Sequence, residues 1–280
     1  MEGTAMNNPA TAVDDGQIAA THRVMWASGN YPKLAAELVT PLGPVLVDAA
    51  GIGPGDRVLD VAAGTGNAAI PAALRGARVV ASDLSPELLE AGAALAAERG
   101  ATLEWREANA HELPFADAEF DVVMSCIGVM FAPFHQRAAD ELIRVCKPGG
   151  RIALLSWTPE GQIGELFATM KPYVAPPPPG AQPPPLWGDD EHVRALLGDR
   201  VTDVVTERRA LTVEHFGNGA AFRDYFRSTY GPTIAAYRNI EDDPDRVAEL
   251  DAALARIGDG FLHGGSTMEW EYLLLTARRA

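Results

Sequence analysis

Five short apolar runs alternate with stretches of helical period between residues 57 and 157, and this alternation constrains the fold more than any other feature. The runs are Arg57 to Ala62, Arg78 to Ser82, Leu103 to Glu107, Asp121 to Cys126 and Arg151 to Trp157. Strands separated by helices pair in parallel through right-handed crossovers. Between them, Ser85-Pro86 reads as an N-cap and first helical position, and Lys147-Pro148-Gly149-Gly150 as a turn. Before the first run, residues 16 to 50 read as helices broken at Ser28-Gly29-Asn30, a prelude placed to act as a lid with Trp26 and Tyr31.

After Trp157, Pro176 to Pro179 and Pro183 to Pro185 exclude helix and predict a stiff polyproline II connector. Beyond it the chain reads as a short helix to Leu197, a long strand within Val201 to Phe216, and an aromatic helix face of Phe222, Tyr225, Phe226 and Tyr230. A helix capped by Asp243-Pro244 and a last strand from Met268 follow. The expected architecture is an α/β, doubly wound, Rossmann-like, seven-stranded and mostly parallel sheet with one antiparallel strand and helical lid elements. Its parts are a helical prelude or lid at 1–50, a cofactor-binding core at 51–160, and a C-terminal part at 161–280 that completes the sheet.

A formal net charge of −15 repels phosphate backbones and anionic headgroups, so nucleic acid is a poor partner. No stretch approaches the roughly 18 apolar residues of a membrane span, which excludes insertion. Met1 to Asp15 has neither basic residues nor an apolar segment and reads as a frayed tail rather than a secretory signal. Cys126 and Cys146 form neither a disulfide framework nor zinc-ligand spacing, so a reducing cytoplasm fits. Monomer and homodimer both remain open.

The first apolar run enters the turn Ala62-Ala63-Gly64-Thr65-Gly66-Asn67, where two glycines let backbone approach a ligand. The spacing also matches the dinucleotide pattern G-x-G-x-x-A, so an NAD-dependent oxidoreductase is one reading. Asp60, just before the turn, would repel a pyrophosphate but accept the cationic methionine end of S-adenosylmethionine. Asp83, ending the second run, can accept from both ribose hydroxyls of either cofactor.

In order along the chain stand Val58 to Asn67, Ala81-Ser82-Asp83-Leu84-Ser85-Pro86, Asn109-Ala110-His111-Glu112-Leu113-Pro114-Phe115, Phe120-Asp121-Val122-Val123 and Arg144-Val145-Cys146-Lys147-Pro148-Gly149-Gly150. Together these resemble class I S-adenosylmethionine-dependent methyltransferases, in the branch similar to the menaquinone and ubiquinone C-methyltransferases, over roughly residues 45 to 157. The resemblance implies that Gly64, Thr65 and Gly66 hold the methionine end. It implies that Asp83 binds the ribose, that Leu84 packs on adenine, and that Asn109 and Ala110 contact its edge. Cys126 falls where the quinone enzymes place a cofactor-contacting Ser. Ala62 replaces the first motif glycine, and Ile127-Gly128-Val129-Met130-Phe131-Ala132 replaces an F-G-L-R-N-like segment. The missing Arg and Asn count against a quinol and suggest a hydrophobic or aromatic small-molecule acceptor.

Methyl transfer needs alignment more than special side chains, so the catalytic residue is not legible. His111, His135 and Tyr230 are the candidates for a base. A metal is not expected, because Asp121 begins the fourth run where a metal-dependent site would want an acid at its end. Cys126 is expected to contact the cofactor or shape the pocket rather than act as a nucleophile, since no basic residue is near it in sequence. A non-catalytic cofactor-binding protein is the remaining alternative.

Overall fold

The computed structural model describes residues 15–280; the frayed-tail reading of the first residues lies outside them. The prelude comprises α1 (Asp15–Ala27), α2 (Tyr31–Leu34), a π-helical turn (Ala35–Val39) and α3 (Leu42–Ala49). Asn30 caps α2 by accepting from the Lys33 N–H at 3.1 Å. No residue of α1 is buried, whereas Leu34, Leu38, Leu42 and Leu46 sink into the core.

The alternating unit follows as β1 (Arg57–Val61), α4 (Ala69–Leu74), β2 (Arg78–Asp83), α5 (Pro86–Glu98), β3 (Glu104–Glu107), β4 (Phe120–Cys126), α6 (His135–Val145) and β5 (Cys146–Trp157). The last third contributes α7 (Gln162–Met170), α8 (Asp190–Leu197), β6 (Val201–Val213), α9 (Gly219–Thr229), α10 (Gly231–Asn239), α11 (Pro244–Gly260) and β7 (Met268–Arg279). The seven strands form one sheet in the order β3-β2-β1-β4-β5-β7-β6. β1, β2, β3, β4 and β5 pair in parallel, and β7 runs antiparallel to both β5 and β6. The single antiparallel strand expected from the sequence is therefore β7. Central β1 and β4 are buried almost throughout, as a sheet covered by helices on both faces requires.

Three local readings change. The Lys147-Pro148-Gly149-Gly150 turn is absorbed into β5, where Gly149 takes φ +71° and the pairing with β4 slips between Phe120 and Val122. Such a bulge accommodates the extra residues without ending the strand. Ser85 stands at the N-cap of α5, but its hydroxyl bonds Glu87 and makes no cap. The proline segment is not merely extended: a 3₁₀ helix spans Pro184–Gly188, with Trp187 only 1% exposed. Proline fits the first turn of a helix, where its missing N–H has no partner to lose. The Gln182 N–H bonds the Pro133 carbonyl at 2.9 Å, clipping the segment to the body. Among the described residues no helix is long and apolar enough to cross a membrane.

Candidate active site

The strand order reverses between β1 and β4, and in doubly wound sheets the carboxyl ends of the strands at such a point open a crevice. Here that crevice is a cleft walled by the loops after β1, β2 and β4 and roofed by α1.

β1 carries its chain into a turn in which Ala62, Gly64 and Gly66 have φ of +55°, +55° and +81°. Ala62 and Gly64 line the cleft, while Gly66 is backed by Trp105, which would stand 2.7 Å from a Cβ placed there. Thr65 is buried in the same turn and does not line the cleft. Asp60 is 1% exposed and does not line the cleft, and neither of its carboxylate oxygens has a hydrogen-bond partner among the described residues. Burial pushes its carboxyl up to about 8; the Ala69 N–H opposes this without closing a full hydrogen bond, and Asp83 raises it a little further.

Asp83 stands in the cleft wall at the end of β2. Its carboxylate accepts from the Gly64 N–H at 2.8 Å and the Ser85 N–H at 2.9 Å, so one side chain fixes both loops. Burial raises its pKa despite these bonds. Leu84, Asn109 and Ala110 line the cleft beside it. The Asn109 side-chain oxygen accepts from the His111 N–H at 3.0 Å, leaving its amide NH₂ for a ligand. Cys126 sits at the end of β4, half-buried and outside the cleft lining, 3.8 Å from Asn67 Nδ2. Burial and then the charge of Asp60 push its thiol far above the usual range, the reverse of what a nucleophile needs.

The three candidate bases are placed differently. His111 lines the cleft, but its Nε2 accepts from the Phe134 N–H at 3.2 Å, which puts the ring proton on Nδ1. Burial lowers its pKa to about 4, so at neutral pH it presents a donor rather than a base. His135 is not brought to the cleft; its Nδ1 meets His192 Nε2 at 3.0 Å beneath Trp187. Tyr230 lies behind the cleft, in a cluster of rings with Trp26, Phe167 and Phe226. Trp26 and Tyr31, read from the sequence as lid residues, both line the cleft. His22, Phe131 and Phe134 line it too; the apolar segment after the fourth strand hinted only at Phe131. Among the described residues no three His, Cys, Asp or Glu side chains stand together as metal ligands.

Residues 59–154 match the family described as "Methyltransferase domain". The uncharacterized protein Rv1405c of Mycobacterium tuberculosis is 54% identical over 268 residues, covering 96% of this chain and 97% of that protein. A demethylmenaquinone methyltransferase of Clavibacter sepedonicus is 41% identical over 104 residues, covering 37% of this chain and 42% of that enzyme. Among solved structures, a geranyl diphosphate methyltransferase in complex with S-adenosylmethionine aligns with TM-score 0.52 and 20% identity, covering 86% of this chain and 85% of the other. The [4+2]-cyclase SpnF aligns with TM-score 0.52 and 22% identity over 86% and 80% of the two chains. At these identities the structures share the fold alone.

Fold, cleft and family together define a Rossmann-like enzyme that uses S-adenosylmethionine. The chain belongs to the class I S-adenosylmethionine-dependent methyltransferases, and nearly its whole length is shared with the mycobacterial protein.

Proposed function

We propose that this enzyme methylates a small hydrophobic or aromatic molecule, with residues 51–160 holding the cofactor, 161–280 completing the sheet, and the prelude within 1–50 closing the site. The observation that carries this reading is the pairing of an orphaned acid with an aromatic wall. Asp60, outside the cleft lining, has a buried carboxyl with no hydrogen-bond partner among the described residues, while Trp26, Tyr31, Phe131 and Phe134 line the cleft.

The residues present fit the cofactor. A buried carboxylate without a partner is costly, and the ammonium end of S-adenosylmethionine would supply the missing charge. A side chain at Gly64 is disfavoured by its φ of +55° and would crowd the Tyr31 ring, 3.2 Å from a Cβ placed there. Asp83 retains lone pairs for ribose hydroxyls, and Leu84, Asn109 and Ala110 stand where adenine would lie. Thr65, Gly66 and Cys126 act from behind, by shaping the turn. When bound, S-adenosylmethionine would supply an electrophilic methyl group to the acceptor's lone pair. The chain's own contribution is to hold both molecules in line and to exclude water under α1. His111 Nδ1–H can donate to an acceptor oxygen, and Cys126 forms no covalent intermediate. The enzyme works with reduced thiols in the cytoplasm, as monomer or homodimer, without nucleic-acid partners.

The test is methyl-labelled S-adenosylmethionine offered with a panel of small aromatic and aliphatic acceptors. Label should enter an aromatic acceptor. Asp83→Ala should weaken S-adenosylhomocysteine binding by roughly ten- to a hundredfold in calorimetry, the worth of hydrogen bonds to a charged group. It should also lower the melting temperature, because the Gly64 and Ser85 N–H groups lose their acceptor. Unchanged affinity would remove Asp83 from the site.

A further inference from the structure

The glycine turn after β1 is held from two sides. On one side the Gly64 N–H bonds the Asp83 carboxylate at 2.8 Å and the Ala63 N–H bonds the Ser82 carbonyl at 2.9 Å, both at the end of β2. On the other side the buried Thr65 and Gly66 lie beside the indole of Trp105 and the backbone of Gly92. Trp105 comes from β3 and Gly92 from the middle of α5.

Both glycines make room for one ring edge. A Cβ at Gly66 would stand 2.7 Å from Trp105 Cη2. A Cβ at Gly92 would stand 2.5 Å from the same atom, 2.6 Å from Trp105 Cζ3 and 3.0 Å from the Thr65 carbonyl carbon. Carbon atoms in good contact stand well outside these separations. Gly66 has a second reason to be glycine, its φ of +81°. Gly92 sits inside a helix, where glycine is among the least favourable residues. The ring edge accounts for it by occupying the volume a side chain would take. Trp105 is therefore a wedge between α5 and the turn, seated by one glycine on each side. The indole is half-buried and does not line the cleft, so it acts on a ligand there only through the turn.

The turn has a need for such a wedge. Gly64 and Gly66, at φ +55° and +81°, carry the wide conformational freedom of glycine. Asp83 fixes Gly64, but Gly66 bonds only within its own segment, to Ala63 and Ile70 at 2.9 Å each. A turn left loose there would have to be ordered by the ligand, at a cost in affinity. We propose that Trp105 is a positioning residue for the cofactor: its ring edge, seated between Gly66 and Gly92, holds the turn forward and keeps Gly64 where S-adenosylmethionine is received. This rests on the methyltransferase reading and adds a residue to its binding machinery.

The test measures S-adenosylhomocysteine binding to the full-length chain by calorimetry, at a temperature where circular dichroism shows each variant folded. Trp105→Phe, which withdraws the outer ring edge, should weaken binding about threefold, and Trp105→Ala about tenfold or more. Gly92→Ala should weaken it about tenfold, because its methyl drives the ring against the turn. In the double variant Gly92→Ala with Trp105→Phe, the methyl enters the space that the ring edge has left. Independent effects would multiply to about thirtyfold, whereas a matched pair should bind within about threefold of wild type. The two Trp105 variants serve if Gly92→Ala fails to fold. A ring that only packs predicts lower melting temperatures with affinity unchanged, and that result overturns the proposal. A multiplied loss in the double variant overturns it too. Failure of the wild type to bind S-adenosylhomocysteine overturns the functional reading beneath it instead.

Discussion

Ala62 holds a left-handed backbone conformation at φ +55°, which costs an L-residue about 1–2 kcal/mol. Glycine would relieve that cost but lose more entropy on folding, so Ala62→Gly should stabilise the protein by about 0.5–1 kcal/mol in chemical denaturation. A lower midpoint would show that the Ala62 methyl packs usefully. Gly128 is the opposite case. A Cβ there would stand 1.9 Å from the Ala62 carbonyl oxygen, so Gly128→Ala should destabilise the protein and distort the cleft. The preceding Ile127 is itself at φ +69°, rare for a β-branched side chain, and this strained corner swings Phe131 into the wall. Asp60 makes a prediction of a different kind. Its folded pKa, about 8, lies above the ordinary carboxylate value near 3.9. Between these values the folded chain keeps a proton that the unfolded chain has lost. Its contribution to stability therefore falls as pH rises through that window and levels off above 8. An ammonium ligand reverses the preference, so cofactor binding at pH 7 should release a proton and strengthen as pH approaches 8. Calorimetry in buffers of different ionisation enthalpy measures this directly, and Asp60→Asn should abolish it. Binding without proton release would place the ammonium away from Asp60.

Among the elements, the prelude is mechanically two things. Removing residues 1–27 takes α1, its ion pairs and the Trp26 ring, but no buried residue of that helix. This deletion should leave a folded protein with a melting temperature lowered by only a few degrees and turnover reduced by roughly tenfold or more, as expected when a lid is lost. Removing residues 1–40 also takes Leu34, Leu38 and Val39 out of the core and should prevent folding, since each lost large side chain costs about 2–5 kcal/mol. Circular dichroism and turnover on the two deletions separate lid from core. Wild-type turnover by the shorter deletion would remove α1 from the mechanism. The π-helical turn marks the divide: Asn67 donates to the Val39 carbonyl at 2.9 Å and so ties this part of the prelude to the cofactor turn.

For the whole molecule, a cofactor in the cleft would brace the loops after β1 and β2 that Asp83 already links. Saturating S-adenosylhomocysteine at about 100 times its dissociation constant should add about 2.7 kcal/mol. For a chain of this size that is a rise of roughly 5–10 °C in melting temperature. A rise with NADH and none with S-adenosylhomocysteine would contradict the assignment.

The sheet was legible from the sequence because parallel strands covered on both faces must be short apolar runs, and β1 and β4 are. The placing of Gly64 and Asp83 at the cleft was legible for a related reason: positive-φ turn and second strand end follow closely in the chain, so local geometry brings them together. The cluster of rings beside the cleft was not legible. Trp26, Phe131, Phe167 and Tyr230 come from four separate elements, and no local pattern says that their rings meet. Nor could spacing separate the histidines. His111 and His135 look alike in sequence, yet the bond from the Phe134 N–H leaves one facing the cleft while His192 and Trp187 hold the other away from it. The sequence by itself determined the alternation of strands and helices and the glycine turn between Asp60 and Asp83, because those depend on neighbours along the chain. Only the tertiary structure decided which aromatic rings meet beside the cleft and which imidazole lines it, because burial and hydrogen-bond partners are set by segments distant in sequence.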